Sequence, residues 1–206
     1  MNIVLLGKPM SGKGSQAVRL SKTLKIPAIS TGDILRKEIR KKSVLGKKAA
    51  AYMHTGALVP DALIFSVLRK LLPKKGFILD GFPRTLSQAQ ALEKIRGIDL
   101  VVDVYCSDAA VLRRMRARRV CLHCGAIYGL EIPPKRPGFC DRCGGRLSQR
   151  ADDTPATVRT RLAVYRKETA PLIRFYQQRK KYVRVNGEAS IPVVQKNILK
   201  KIETIK

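Results

Sequence analysis

The chain alternates short apolar runs with longer stretches in which apolar residues recur every three or four positions. Ile3 to Leu6, Phe77 to Leu79, Leu100 to Tyr105 and Tyr182 to Val185 are apolar runs, broken only by Asp103 and Arg184, with a shorter one at Ala28-Ile29. Runs without polar alternation predict strands buried on both faces. The stretches between them predict helices over residues 13–23, 32–42, 44–54, 61–72, 85–95, 108–118, 155–179 and 190–204. Thr31 and Asp61 are expected as N-terminal caps, and Pro155 suits a first helical position. This β-α-β-α alternation predicts an α/β fold with a parallel sheet flanked by helices. The pattern stops between about Arg119 and Asp153, where glycines, prolines and cysteines crowd together. That segment reads as an insertion with its own fold.

The end of the first run carries the clearest chemistry. Asn2-Ile3-Val4-Leu5-Leu6 breaks into Gly7-Lys8-Pro9-Met10-Ser11-Gly12-Lys13-Gly14-Ser15-Gln16, and a helical pattern follows at Ala17, Val18, Leu20 and Leu24. A buried strand that ends in spaced glycines, then lysine and a helix, aims backbone N–H groups and a helix N-terminus at one point. That point favours a polyphosphate.

A length of 206 residues gives one core domain of ordinary size with room for insertions. No apolar stretch approaches membrane-spanning length, and the start lacks a secretory signal pattern, so a cytoplasmic protein without a membrane partner is expected. Of the five cysteines, four form Cys121-x2-Cys124 and Cys140-x2-Cys143, separated by fifteen residues. Paired knuckles of this spacing predict a tetrahedral zinc site. Four sulfurs leave no coordination position for water or substrate, so the metal is expected to be structural. Gly125 and Gly144-Gly145 follow the pairs, where a backbone wrapping an ion needs permissive dihedrals. His123 is expected to be exposed rather than a ligand, and Cys106 an ordinary buried thiol.

Charge widens the picture rather than narrowing it. With 42 Lys+Arg against 15 Asp+Glu, the formal net charge is +27. Such a field attracts nucleotides, nucleic acid and anionic lipid alike. The basic runs Lys37 to Lys48 and Lys196 to Lys206 read equally well as solvated faces. Aromatic residues make up only 5% of the chain, few for base stacking, which makes a basic zinc-knuckle nucleic-acid binder the lesser alternative. Nonspecific nucleic-acid attachment stays open.

Further motifs lie in order along the chain: Ser30-Thr31-Gly32-Asp33-Ile34-Leu35-Arg36, Gly56 to Asp61, Asp80-Gly81-Phe82-Pro83-Arg84-Thr85 with Gln88, Arg118-Arg119-Val120, and Arg150-Ala151-Asp152-Asp153. With the loop, in which Gly7, Pro9, Gly12, Lys13, Gly14 and Gln16 match, the chain resembles the adenylate kinases in their long, zinc-binding-lid form. The resemblance runs essentially end to end. It implies a P-loop core over residues 1–30, 61–118 and 154–206, a helical AMP-binding insertion over 31–60 and a zinc lid over 119–153. The implied reaction is reversible transfer of the γ-phosphoryl group of Mg-ATP to AMP, giving two ADP.

The resemblance also implies roles. Lys13 would contact the β- and γ-phosphates, with Pro9, Gly12, Gly14, Ser15 and Gln16 around the donor. Of Arg114 and Arg118, one would lie against the donor adenine and the other reach its phosphates. Arg84, Arg150 and Arg161 would converge on the transferred group, and Arg36 with Arg84 would hold the AMP phosphate. Thr31, Gly81 and Gln88 would line the AMP pocket, Gln88 reading the base. Asp80, with Asp33, would hold magnesium through its waters, while Asp152 and Asp153 belong to the closing lid. The chemistry supplies reasons of its own. Phosphoryl transfer asks mainly for positioning and for neutralisation of charge on the equatorial oxygens, a task for planar, permanently charged arginines. A lid excludes water as a competing nucleophile.

Met10 departs from the family pattern, which has glycine there. A glycine-only backbone would cost methionine about 1–3 kcal/mol of strain, and this departure is the one hint of a catalytically weak relative. Ser15 replaces a threonine and keeps its hydroxyl. The nearest competing function is a sister kinase with a GMP, UMP or CMP acceptor or a GTP donor. Nothing in the sequence asks for more than a monomer.

Overall fold

The structure is a computed structural model that describes residues 1–204. Ile205 and Lys206, the end of the expected core segment and of the basic run from Lys196, lie outside the described residues. Five parallel strands form the central sheet: β1 (Asn2–Leu6), β2 (Ala28–Ser30), β3 (Phe77–Asp80), β4 (Leu100–Tyr105) and, last along the chain, a strand over Tyr182–Asn186. Their spatial order is β2, β3, β1, β4 and then the last strand. The alternation seen in the sequence is therefore a doubly covered α/β sheet.

The absence of polar alternation in β1 has a direct cause. Val4 and Leu6 point into a cluster with Phe77, Leu79, Leu92, Leu172 and Tyr176, while Ile3 and Leu5 point into another with Leu20, Ile78, Leu100, Ile198 and Ile202. Both pleats meet helices, so both are apolar, and each fully buried side chain contributes about 2 kcal/mol. The expectation of two buried faces fails at the sheet edges: Ala28 and Arg184 are exposed. An edge strand has a neighbour on one side only and is incompletely covered.

The helices are α1 (Lys13–Leu24), α2 (Thr31–Arg40), α3 (Val44–Thr55), α4 (Asp61–Leu71), α5 (Leu86–Ile95), α6 (Asp108–Ala117), α7 (Pro155–Val164), α8 (Pro171–Gln178) and α9 (Ile191–Glu203). The single helix expected over 155–179 is thus divided by a π-helical turn at Tyr165–Thr169. Pro171 has no N–H to give, and the Ala170 N–H bonds the Tyr165 carbonyl five residues back at 2.7 Å. Two expected caps are corrected. Ser30 caps α2 by accepting from the Asp33 N–H, whereas the Thr31 hydroxyl donates to the Gly81 carbonyl at 3.0 Å. Pro60 precedes α4, and the Asp61 carboxylate accepts from Gln88 instead. Pro155 does open α7, capped by Thr154.

Between α6 and α7 lies a separate three-stranded antiparallel sheet: β5 (Arg119–Cys121), β6 (Ile127–Tyr128) and β7 (Leu147–Ser148), in the order β6-β5-β7. The last strand of the central sheet is accordingly β8. Among the described residues, no helix is long and apolar enough to cross a membrane.

Candidate active site

Parallel pairing brings the C-terminal ends of β1 to β4 to one edge: Leu5 sits opposite Asp80, Ser30 opposite Asp80, and Leu6 opposite Asp103. Loops leaving that edge build the site, as expected where strand order reverses in an open α/β sheet. The loop after β1 turns on two glycines for different reasons. A side chain at Gly7 would put its Cβ 2.4 Å from the Val104 carbonyl oxygen, whereas Gly12 has open space but sits at φ 99°. Met10 lies at φ 63°, in the left-handed region, so the glycine-favouring conformation suspected from the sequence is present. Its side chain packs against Cys106, Ala110, Val111, Met115, Val158 and Leu162.

Lys13 curls over the loop, its Nζ donating to the carbonyls of Gly7 at 2.7 Å and Lys8 at 2.6 Å. Burial lowers its pKa, against the pull of Asp80. Arg114 ties the loop to its surroundings, donating to the carbonyls of Ser11 at 3.2 Å and Gly187 at 2.7 Å. Gln16 is buried and donates to the Ile191 carbonyl at 3.0 Å, which joins α1 to α9.

Two cavities open from this edge. The first, about 190 Å³, runs beneath α2 and α3 and is lined by Thr31, Met53, Val59, Gly81, Arg84, Gln88 and Arg161 among others. The second, about 210 Å³, lies between the β1 loop and the small sheet and is lined by Gly12, Gly14, Ser15, Gln16, Arg114 and the Tyr128–Ile132 turn. They share a wall containing Met10, Lys13, Ser30, Arg36, Asp80, Arg118 and Arg150. Pro9 lines only the first cavity, although the sequence reading grouped it with the donor.

The wall is charged well beyond neutrality. Arg36 bonds Asp33 at 2.6 Å and approaches Asp152 at 3.7 Å, while Arg150 approaches Asp33 at 3.5 Å. Arg118 grips Asp153 through two nitrogens, and Arg161 pairs with Asp152. Arg84 is pulled down to about 10 by burial, with Arg161 and Arg36 adding repulsion. Arg150 is likewise near 10, through burial and the neighbouring Arg36 and Arg118. Burial raises Asp80, with Lys13 opposing, whereas at Asp33 and Asp152 the adjoining arginines outweigh burial and lower the pKa. The Arg150 Nε is buried and has no hydrogen-bond partner among the described residues. Cations held this close without full compensation form a ready anion site.

A sequence model of the adenylate kinase family matches residues 5–181. The chain belongs to the adenylate kinase family. It is 45% identical to the adenylate kinase of Caldicellulosiruptor saccharolyticus, over 97% of this chain and 98% of that one. The adenylate kinase of Archaeoglobus fulgidus is 45% identical over the whole of both chains, and that of Staphylococcus aureus 43% identical over 97% of each.

Several residues that line the two cavities of this adenylate kinase lie outside the motifs legible in the sequence. Tyr165 and Thr169 reach the first cavity from the π-helical turn, and the Thr169 hydroxyl donates to the Arg84 carbonyl at 2.9 Å. Gly187 hides its purpose too: a Cβ there would lie 2.6 Å from Val104 Cγ1 and 2.9 Å from the Ser11 carbonyl oxygen. A glycine two residues beyond the Tyr182 to Val185 run was the available hint. The Tyr128–Ile132 turn had none, because its place over the β1 loop is a long-range contact.

In the small sheet, the four cysteine Sγ atoms lie within 4.8 Å of one another. Gly125 and Gly144 have φ 75° and 69°, and a Cβ on Gly145 would crowd Cys121 Sγ at 3.2 Å. Backbone N–H groups of Cys124 and Arg142 donate to Cys121 and Cys140 sulfurs, each at 3.4 Å. The Tyr128 hydroxyl lies 3.4 Å from Cys140 Sγ and can donate to it, which favours the thiolate form that a metal takes up. This donor set fits a tetrahedral zinc ion. His123 is exposed and outside the cluster, and Cys106 is fully buried.

Proposed function

We propose that the two cavities are the donor and acceptor sites of a reaction in which the γ-phosphoryl group of Mg-ATP passes to AMP, giving two ADP. Adenylate kinase function follows from family membership; the observation that supports this placement of substrates is the shared wall of Lys13, Asp80, Arg36, Arg118 and Arg150. Two anions entering from opposite sides meet there, and the wall offsets their mutual repulsion.

On the donor side, the N–H groups of Gly12, Gly14 and Ser15 and the Lys13 ammonium cradle the phosphates. Arg114 spends its edge on loop carbonyls, which leaves its flat face for the donor base, and Arg118 serves the phosphates. On the acceptor side, Arg36 and Arg84 hold the AMP phosphate, and Thr31, Gly81 and Gln88 line its nucleoside pocket. Arg84, Arg150 and Arg161 stabilise the group in flight; losing one such donor costs about 3 kcal/mol of transition-state stabilisation. Asp80, with Asp33, fits magnesium held through water, which supplies neutralisation of phosphate charge. Cys121, Cys124, Cys140 and Cys143 hold a structural zinc that ties together a segment with little core of its own.

Residues 31–60 and 119–153 act as closing segments on the core. The Arg36–Asp152 and Arg150–Asp33 contacts join them across the site and would keep water from the donor. Hydrogen exchange in both segments should slow on binding a bisubstrate analogue, and equal exchange with and without it refutes the closure. The assay for function is one reaction with Mg-ATP and equimolar AMP, GMP, CMP and UMP, each diphosphate followed by chromatography. ADP with matching loss of AMP alone is expected. Another diphosphate would move the acceptor assignment to a sister kinase.

A further inference from the structure

Gln88 is buried and lines the acceptor cavity, and its amide is held at both ends. Its Nε2 donates to Asp61 Oδ1 at 2.6 Å, and its Oε1 accepts from the Arg84 N–H at 2.7 Å. The second Asp61 oxygen accepts from the Ser87 hydroxyl at 3.2 Å. We propose that Asp61, by fixing the orientation of the Gln88 amide, is a positioning residue that sets the choice between adenine and its 6-oxo counterpart. The inference rests on Gln88 reading the acceptor base.

The argument is one of valence. A carboxylate only accepts and a backbone N–H only donates, so the two partners allow a single orientation of the amide. Rotating it by half a turn would set oxygen against the Asp61 carboxylate and N–H against the Arg84 N–H. An amide has two N–H groups and two lone pairs, of which Asp61 and Arg84 take one each. One donor and one acceptor remain, in a fixed order, at the cavity wall. The Watson–Crick edge of adenine offers N1 as acceptor and the 6-amino group as donor, so a fixed amide can pair with both atoms. Hypoxanthine reverses the pair, with N1–H donating and O6 accepting, and meets donor against donor. Sites built around buried hydrogen bonds discriminate strongly because a mismatch leaves polar groups unpaired.

Asp61 opens α4 and Gln88 lies on α5, twenty-seven residues later, so the pair also pins the end of the helical insertion to the core. The same network reaches the phosphate side. Arg84 gives its N–H to Gln88, receives the Thr169 hydroxyl at its carbonyl, and donates its Nε to the Gly81 carbonyl at 2.8 Å.

The test compares kcat/KM for AMP and for IMP in the wild type, Asp61→Asn and Asp61→Ala, with Asp61→Glu as the conservative variant. Asn is isosteric but can turn its own amide to keep Gln88 as it is, so it serves as the control for the fold; Ala removes the acceptor outright and decides, with Asp61→Leu in its place if Ala does not fold. In the variant without an acceptor the AMP-to-IMP ratio should fall about tenfold or more, chiefly through a raised KM for AMP, and Asp61→Glu should recover part of it. An unchanged ratio, or equal losses on both substrates, overturns the proposal and leaves Asp61 a structural support. A wild type that makes no ADP from AMP overturns the functional reading itself, and this inference with it.

Discussion

Met10 offers the sharpest test of how the phosphate-binding loop is held. At φ 63° it occupies a region that costs a residue with a Cβ about 1–2 kcal/mol. Its half-buried side chain returns about 1 kcal/mol by packing against Cys106, Ala110, Val111, Met115, Val158 and Leu162. Met10→Ala keeps the strain and loses the packing, so it should be less stable than the wild type by about 1 kcal/mol. Met10→Gly loses the same packing and relieves the strain, while the freer unfolded chain takes back about 0.4–1 kcal/mol. The glycine variant should therefore exceed the alanine variant by about 1 kcal/mol and lie close to the wild type. Urea unfolding of the three proteins reads this directly, and the melting temperatures of the two variants should differ by about 3 °C. At a position with ordinary negative φ the sign is opposite, because glycine then only loses. A glycine variant less stable than the alanine variant would refute a strained loop at Met10.

The cysteine cluster should bind one zinc per chain by atomic emission. Cys140→Ser should abolish it and lower the melting temperature, whereas His123→Ala should leave both unchanged; zinc lost with His123 would contradict the all-sulfur site. Asp152 gives a pH signature. Its folded-state pKa lies below the ordinary value, so its stabilisation is complete above about pH 4 and disappears as pH falls through the lower folded value. Asp152→Asn should cost about 2 kcal/mol at neutral pH, less than a fully buried pair because Arg161 is 17% exposed. The loss of stability on acidification, followed by urea unfolding, should then be shallower than in the wild type. An equal acid slope in both proteins would rule out the Arg161 pair as its source.

The sequence by itself determined the elements and the local devices. Strand runs such as Ile3–Leu6 were legible because burial on two faces demands continuous apolar residues. The β1 loop and the cysteine knuckles were legible because each places its chemistry within a few consecutive residues. The family motifs, Asp80 to Arg84 among them, supplied the remaining candidate residues, and the two cavities gather them along one edge of the sheet, Asp152 and Asp153 excepted. Only the tertiary structure decided which partner each side chain takes. Thr31 and Asp61 have the composition of caps, yet a carbonyl and an amide far along the chain claim them. Thr169 and the Tyr128–Ile132 turn reach the site through a π-helical turn and a folded insertion that no local period encodes. Local periodicity reports what a segment buries; the direction of a hydrogen bond depends on what the fold brings opposite it.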